Sequence, residues 1–310
     1  MQPQQTAFIF PGQGSQSLGM GAELVKAYPI ARQVFAEADE FLGFPLSRLA
    51  WEGPEEDLND TLNTQPALLI HSIAALNVFL ERFPGFNPAF VAGHSMGELS
   101  ALVACQALPF PDALRLARTR GQMMKRAGTL NPGGMAAIMG LDIPALDNLC
   151  AQASSPTEIV QVANDNCPGQ VVISGHIPAL ERALELAQAA GARRSVRLAV
   201  SIASHSPLMS QAQLGFIQAV EAAPLVDPVL PLIGNVTASP LSTAQALRQD
   251  LQDQLTHRVR WTESIQWMIA QGVTTFIELG SGTVLTGLLK RIDREALGLN
   301  LGTPADYEKL

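Results

Sequence analysis

The apolar run PAFVAG (88–93) reaches a run of helical spacing (96–107) through Gly93-His94-Ser95-Met96-Gly97. Nothing else in the chain restricts its fold as tightly. A strand that becomes a helix within so few residues needs glycine where backbones crowd, and it commits the chain to strand-to-helix layering. Neighbouring segments repeat the pattern. QTAFIF (5–10) predicts a buried strand, and PGQGSQ after it a tight loop. Residues 22–42 predict a helix interrupted at Pro29, and 64–83 a largely buried one. Pro111 and Asp112 open another, since proline suits the first turn and an acid the positive end. This alternation predicts an α/β fold with a mostly parallel sheet.

The order changes near Asn131-Pro-Gly-Gly. Strands are expected at 135–141, 158–164, 170–175 and 193–200, with helices at 143–153 and 177–191. That is β-α-β-β-α-β, the split pattern of a ferredoxin-like unit. Residues 131–200 are therefore expected to form a small subdomain inserted into a large domain made of 1–130 and 201–310. After Ser201 the α/β pattern resumes. A strand is expected at 229–235, helices through 243–256 and 262–271, a strand at 274–280 and a helix at 283–293. The polar tail from about 303 is expected to fray.

Hydrophobic residues make up 47% of the 310, ample for a core, and a net charge of −8 argues against bulk nucleic-acid binding. A local basic patch for an anionic small ligand stays open. Cys105, Cys150 and Cys167 have no metal-ligand spacing, and their odd number points to a reducing cytoplasm. MQPQQTAFIF has neither a basic start nor a long apolar stretch, so it does not read as a signal peptide. Residues 61–80 are uncharged. Asn63, Gln65, His71 and Asn77 make them too polar for a membrane span, and a buried helix is expected.

Gly93–Gly97 matches G-x-S-x-G between a predicted strand and a predicted helix. In that context Ser95 is a candidate nucleophile, with the Met96 N–H placed to stabilise an oxyanion. The alternative is a glycine-bounded turn with Ser95 as a helix cap. No acid adjoins Ser95 on its N-terminal side, so its base must come from elsewhere. His71 reads as a core residue and His94 as a brace whose ring points away from the serine. His176 lies in a turn of the small subdomain, and His257 at a polar helix end. His205, in SIASHSPLM, is the best candidate, although taken alone a structural histidine is as good a reading.

Six segments then occur together: GQGSQ (12–16), GHSMGE (93–98), TRGQMM (119–124), ANDNCPGQVVISG (163–175), SIASHSPLM (201–209) and QLTHRVRW (254–261). With VLTGLLKRI (284–292), their order resembles the malonyl-CoA:acyl carrier protein transacylases of fatty-acid and polyketide synthesis. The resemblance runs from about residue 6 to 293. It implies an α/β-hydrolase-like core with a ferredoxin-like insertion. It also implies transfer of a malonyl group from malonyl-CoA to the phosphopantetheine thiol of holo acyl carrier protein, with no resident cofactor or metal. Matched position by position, the nucleophile falls on Ser95 and the base on His205. The oxyanion donors fall on the backbone N–H groups of Gln13 and Met96, and the substrate-carboxylate arginine on Arg120. The carbonyl that orients the histidine falls on Gln254. Asn164 and Gln170 are assigned loosely to the cleft wall or pantetheine path. The chain is expected to act as a cytoplasmic monomer, away from nucleic acid and membranes.

Arg120 can also be argued from spacing. Residues 113, 116, 117, 124 and 127 are Ala, Leu, Ala, Met and Ala, which puts an arginine within an apolar helix face. A buried guanidinium needs a partner, either an internal acid or a substrate carboxylate gripped by parallel hydrogen bonds. A malonyl group offers that carboxylate and an acetyl group does not. Anionic substrates would also need basic groups near the cleft mouth. Arg193, Arg194, Lys290, Arg291 and Arg294 are candidates, though a solvated helix face is an equal reading for each.

Four residues depart from the family pattern. Met96 stands where leucine is frequent, and His257-Arg258 where Asn-Pro or Ser-Pro is expected, which bears on the loop around Gln254. Ser204 replaces a phenylalanine of some malonyl-specific relatives and leaves room for a methyl branch. One alternative is therefore a methylmalonyl-preferring acyltransferase; another is a malonate-decarboxylase-associated one, since such subunits resemble this family. A serine thioesterase or esterase would use the pentapeptide but leave Arg120 and GQGSQ idle.

Overall fold

The computed structural model describes residues 1–310. The chain forms β1 (Thr6–Phe10) and β2 (Phe90–Gly93), then β3 (Gly134–Met139), β4 (Val160–Cys167), β5 (Gln170–Gly175) and β6 (Arg194–Arg197). It continues with β7 (Leu232–Ile233), β8 (Pro240–Leu241), β9 (Thr275–Leu279) and β10 (Leu297–Leu301). One sheet has the order β10-β9-β1-β2-β7-β8, with every pairing parallel except β7 with β8. The other has the order β4-β5-β3-β6 and is wholly antiparallel.

β1 lies inside the first sheet with all five residues buried, which is why it reads as an unbroken apolar run and not an alternation. The loops after β1 and β2 leave the same edge of adjacent parallel strands, where open α/β sheets place their ligands. The uncharged run folds as the Thr61–Arg82 helix, capped by Asp60, which accepts from Leu62 N–H. Nearly all of it is buried against the sheet and neighbouring helices. No helix is long and apolar enough to cross a membrane. The Phe110–Leu130 helix runs beside it and turns Arg120 inward among Ala113, Leu116, Ala117 and Met124.

In the second sheet, helices Ile143–Ala153 and Ile177–Ala189 follow the first and third strands. Backbone bonds between Ala163 or Asp165 and Val259 tie this sheet to the rest of the chain.

Several expectations need correction. The tail does not fray. Thr303 and Asp306 form a capping box for the Pro304–Tyr307 helix, and the buried Tyr307 donates its hydroxyl to Ala75 O (2.6 Å). The strand expected at 229–235 shrinks to Leu232–Ile233, because Pro228 and Pro231 lack the N–H a ladder needs. The interruption expected at Pro29 is present: the 22–42 run forms two helices, Ala22–Ala27 and Pro29–Leu42, parted at the extended Tyr28. Strand β10 and the helices Leu46–Glu52, Glu55–Asn59 and Ser210–Ala222 were not anticipated.

Candidate active site

β2 ends at Gly93, and the Gly97–Ala104 helix begins four residues later. The turn is so tight that a Cβ on Gly93 would stand 2.0 Å from Gly97 C, and one on Gly97 2.2 Å from Phe10 O. Ser95 sits at the apex with φ 52°, a left-handed conformation rare for a residue with a side chain. His205 has φ 58°, also in that region. Backbone strain of this kind concentrates at functional sites.

These two residues meet. Ser95 Oγ lies 2.8 Å from His205 Nε2, and His205 Nδ1 lies 2.8 Å from the carbonyl oxygen of Gln254. A carbonyl only accepts, so Nδ1 carries the proton and Nε2 is left to accept from the serine. Burial, reinforced by the Arg120 charge, lowers the imidazole pKa to about 3. The ring is therefore neutral near pH 7, the form a base requires.

Arg120 reaches the same spot. Its Nη2 donates to Ser95 Oγ (3.0 Å) and Gln254 Oε1 (2.7 Å), and its Nη1 to Gln65 Oε1 (3.0 Å). Only 2% of the residue is exposed, and it forms no ion pair. The internal acid considered from the sequence is thus replaced by two glutamine oxygens, and Nε is buried without any partner. Burial lowers the guanidinium pKa to about 10, still well above neutrality. A charged group held by neutral oxygens keeps its capacity to bind an anion.

The backbone N–H groups of Gln13 and Met96 donate to no protein acceptor. They lie in the loops after β1 and β2, so two free donors flank the serine turn. The Gln13 side chain is held by Thr61, whose hydroxyl donates to Gln13 Oε1 (2.8 Å). His94 turns away from Ser95, as expected. Its Nε2 meets Asn166 Oδ1 (2.9 Å), and its ring packs edge-on against Trp261. His71 is a buried core residue whose Nε2 pairs with Gly302 O (2.9 Å). His176 Nδ1 accepts from Ile159 N–H (3.0 Å) in its turn. His257 Nδ1 pairs with Asp253 O (2.8 Å) and Arg258 with Asp147, while Gln254 O still faces the imidazole.

Asn164 and Gln170 make no hydrogen bond to Ser95, His205 or Arg120. Asn164 bridges to Val259 through its backbone, and Gln170 Oε1 accepts from Arg291. Sequence reasoning also missed several residues behind the site. Asn235 Oδ1 accepts from Ser95 N–H (2.8 Å), and Gln161 Nε2 donates to His205 O (2.8 Å). Gln65 and Glu98 complete this layer. Gln65 could have been suspected as a polar group in a run otherwise fit for burial. Nothing in the local pattern singled out Asn235 or Gln161.

A serine hydroxyl against a neutral imidazole, at a strand-to-helix turn with free N–H donors, suits passage of an acyl group through a serine ester. The chain belongs to the acyl transferase domain family, whose model matches residues 7–300. It is 46% identical to the malonyl CoA-acyl carrier protein transacylase of Bacillus subtilis, over 97% of this chain and 95% of that one. The structure of the malonyl CoA-acyl carrier protein transacylase from Coxiella burnetii superimposes with a TM-score of 0.95. That pair is 41% identical, with 99% of this chain and 96% of that one covered. A malonyl-transacylase solved in complex with its type II PKS acyl-carrier protein gives a TM-score of 0.94. It is 42% identical, with 98% of each chain covered.

Proposed function

We propose that the chain transfers a malonyl group from malonyl-CoA to the phosphopantetheine thiol of an acyl carrier protein, through a Ser95 ester. The observation that carries this reading is a buried, unpaired Arg120 whose guanidinium touches Ser95 Oγ (3.0 Å). The names of the relatives agree with it.

In the first half-reaction His205 Nε2 takes the Ser95 proton as Oγ bonds to the thioester carbonyl carbon. The N–H groups of Gln13 and Met96 hold the oxyanion. The C–S bond then breaks, and the departing thiolate takes the proton from His205 to leave as the coenzyme A thiol. In the second half the carrier thiol gives its proton to His205. Its sulfur attacks the ester carbonyl carbon, and Ser95 Oγ leaves and recovers the proton. Arg120 grips the malonyl carboxylate throughout. The scheme draws on no resident cofactor.

We read the first sheet and its helices as an α/β-hydrolase-like domain of residues 1–130 and 201–310. Residues 131–200 are read as a ferredoxin-like insertion, which the order β4-β5-β3-β6 supports. Arg193, Arg194, Lys290, Arg291 and Arg294 are exposed and outside every ion pair. Arg193 lies against the Gly140 and Gly169 turns, and Arg291 holds Gln170 beside them. We assign this patch to the anionic donor and carrier. Ser95, His205, Arg120 and Gln254 come from one chain, which is consistent with a monomer. Three buried, unpaired cysteines are consistent with the cytoplasm.

The test is steady-state kinetics with malonyl-CoA and holo acyl carrier protein both varied. Parallel double-reciprocal lines and malonylated carrier are expected. Intersecting lines, or free malonate as the sole product, would contradict the scheme. Methylmalonyl-CoA as a competing donor measures the room left at Ser204.

A further inference from the structure

Glu98 follows the serine turn by three residues and is completely buried, yet the scheme above gives it no task. Its Oε2 accepts from two side-chain amides, Gln254 Nε2 (2.6 Å) and Asn235 Nδ2. Both amides point their oxygens at the reacting groups. Gln254 Oε1 receives Arg120 Nη2 (2.7 Å), and Asn235 Oδ1 receives Ser95 N–H (2.8 Å). We propose that Glu98 is a positioning residue that fixes which end of each amide faces Arg120 and the Ser95 turn.

The argument is one of donors and acceptors. A side-chain amide has a donor end and an acceptor end of nearly equal shape, so packing alone does not select its orientation. Oε2 is a pure acceptor here and pins both NH2 ends. The second bonds of those NH2 groups, Gln254 Nε2 to Ser95 O (3.1 Å) and Asn235 Nδ2 to Gly93 O (2.8 Å), agree with that polarity. A flipped Gln254 would point its NH2 at the guanidinium, donor against donor. A flipped Asn235 would do the same to Ser95 N–H. Buried donors without acceptors are costly, and both errors would fall on the groups that hold substrate and nucleophile.

Glu98 Oε1 is buried without a hydrogen-bond partner, and the nearby Asp250 carboxylate accepts from Asn235 N–H (3.0 Å). Burial and the Asp250 charge raise the Glu98 pKa well above the usual carboxyl range. A proton on Glu98 removes a negative charge that would otherwise compete for Arg120. A glutamine at 98 keeps an oxygen acceptor toward the two amides. A leucine has similar bulk and no acceptor.

The inference rests on Ser95 as nucleophile and Arg120 as carboxylate clamp. Its test compares wild type, E98Q and E98L for Ser95 acylation by malonyl-CoA and by acetyl-CoA, with folding followed by circular dichroism. E98Q should acylate within about threefold of wild type, because the acceptor is retained. E98L should lose about thirtyfold with malonyl-CoA, the scale set by leaving buried donors unpaired, and its malonyl-over-acetyl ratio should fall. A folded E98L with wild-type rate and ratio would overturn the proposal. If E98L does not fold, E98Q decides. Retained rate and ratio support the proposal, and a folded E98Q slower by about thirtyfold or more overturns it, since an oxygen acceptor is then not sufficient. Wild type that takes no label on Ser95 would refute the nucleophile reading instead.

Discussion

Replacing Arg120 with alanine separates recognition of the substrate carboxylate from the rest of catalysis. The guanidinium is 2% exposed and holds no internal carboxylate, so a bound malonyl group would be its charge partner. Two parallel hydrogen bonds to that carboxylate, at about 1.5–3 kcal/mol each, contribute about 3–6 kcal/mol. Removing one member of a buried ion pair costs a similar amount, about 3–5 kcal/mol. At about 1.4 kcal/mol per decade, R120A should acylate from malonyl-CoA roughly 10²- to 10⁴-fold more slowly. The variant also loses the Nη2 contact to Ser95 Oγ, which affects every substrate alike. The ratio of malonyl to acetyl transfer is therefore diagnostic. Acylation rates with each thioester, read by intact-protein mass spectrometry, should show the malonyl rate collapsing while the acetyl rate changes by less than about tenfold. Equal losses with both thioesters would refute the clamp.

Other consequences follow from the same geometry. The His205 pKa is lowered from its ordinary value, so the base stays neutral as pH falls from 8 through 5, and acylation should hold until the pH nears about 3 or the fold gives way. Arg120 is one cause of that lowering, so R120A should move the acid limb of the pH profile upward; an unmoved limb would count against the coupling. G97A would press a Cβ to 2.2 Å from Phe10 O, so it should lower Tm and abolish Ser95 labelling, as thermal melts and mass spectrometry would show. Y307F removes the bond to Ala75 O and should cost about 1 kcal/mol, a fall in Tm of about 2 °C, with acylation unchanged. An unaltered melt would mean that the tail contributes nothing to stability.

How much the sequence disclosed follows from how local each signal is. The Ser95 turn was legible because glycine spacing, an apolar strand and a helix start lie within twenty residues. Helices 143–153 and 177–189 were legible from their prolines at the start and their apolar spacing. Arg120 stood out because charge on an apolar stripe is costly. His205 was a coin toss by itself and gained its role from the family pattern. Asn235, Gln161 and Gln65 act through partners 140, 44 and 55 positions away, so no local pattern could mark them. The polarity of the tail points to exposure, and the structure buries Asp306 and Tyr307 nonetheless. Its Thr303–Asp306 capping signal and Tyr307 outweigh that polarity. Near 232 the apolar content of the sequence suggests a longer strand than Pro228 and Pro231 allow, because proline ends a ladder.

The central claim is that Ser95 carries the acyl group between two thiols. Rapid acid quench after mixing with malonyl-CoA, followed by peptide mapping, tests it most directly, with holo acyl carrier protein then added as a chase. The account predicts one malonyl group on the peptide containing Ser95, discharged to the carrier thiol and absent in S95A. A malonylated carrier formed with no label on Ser95, or a label that persists through the chase, would contradict it.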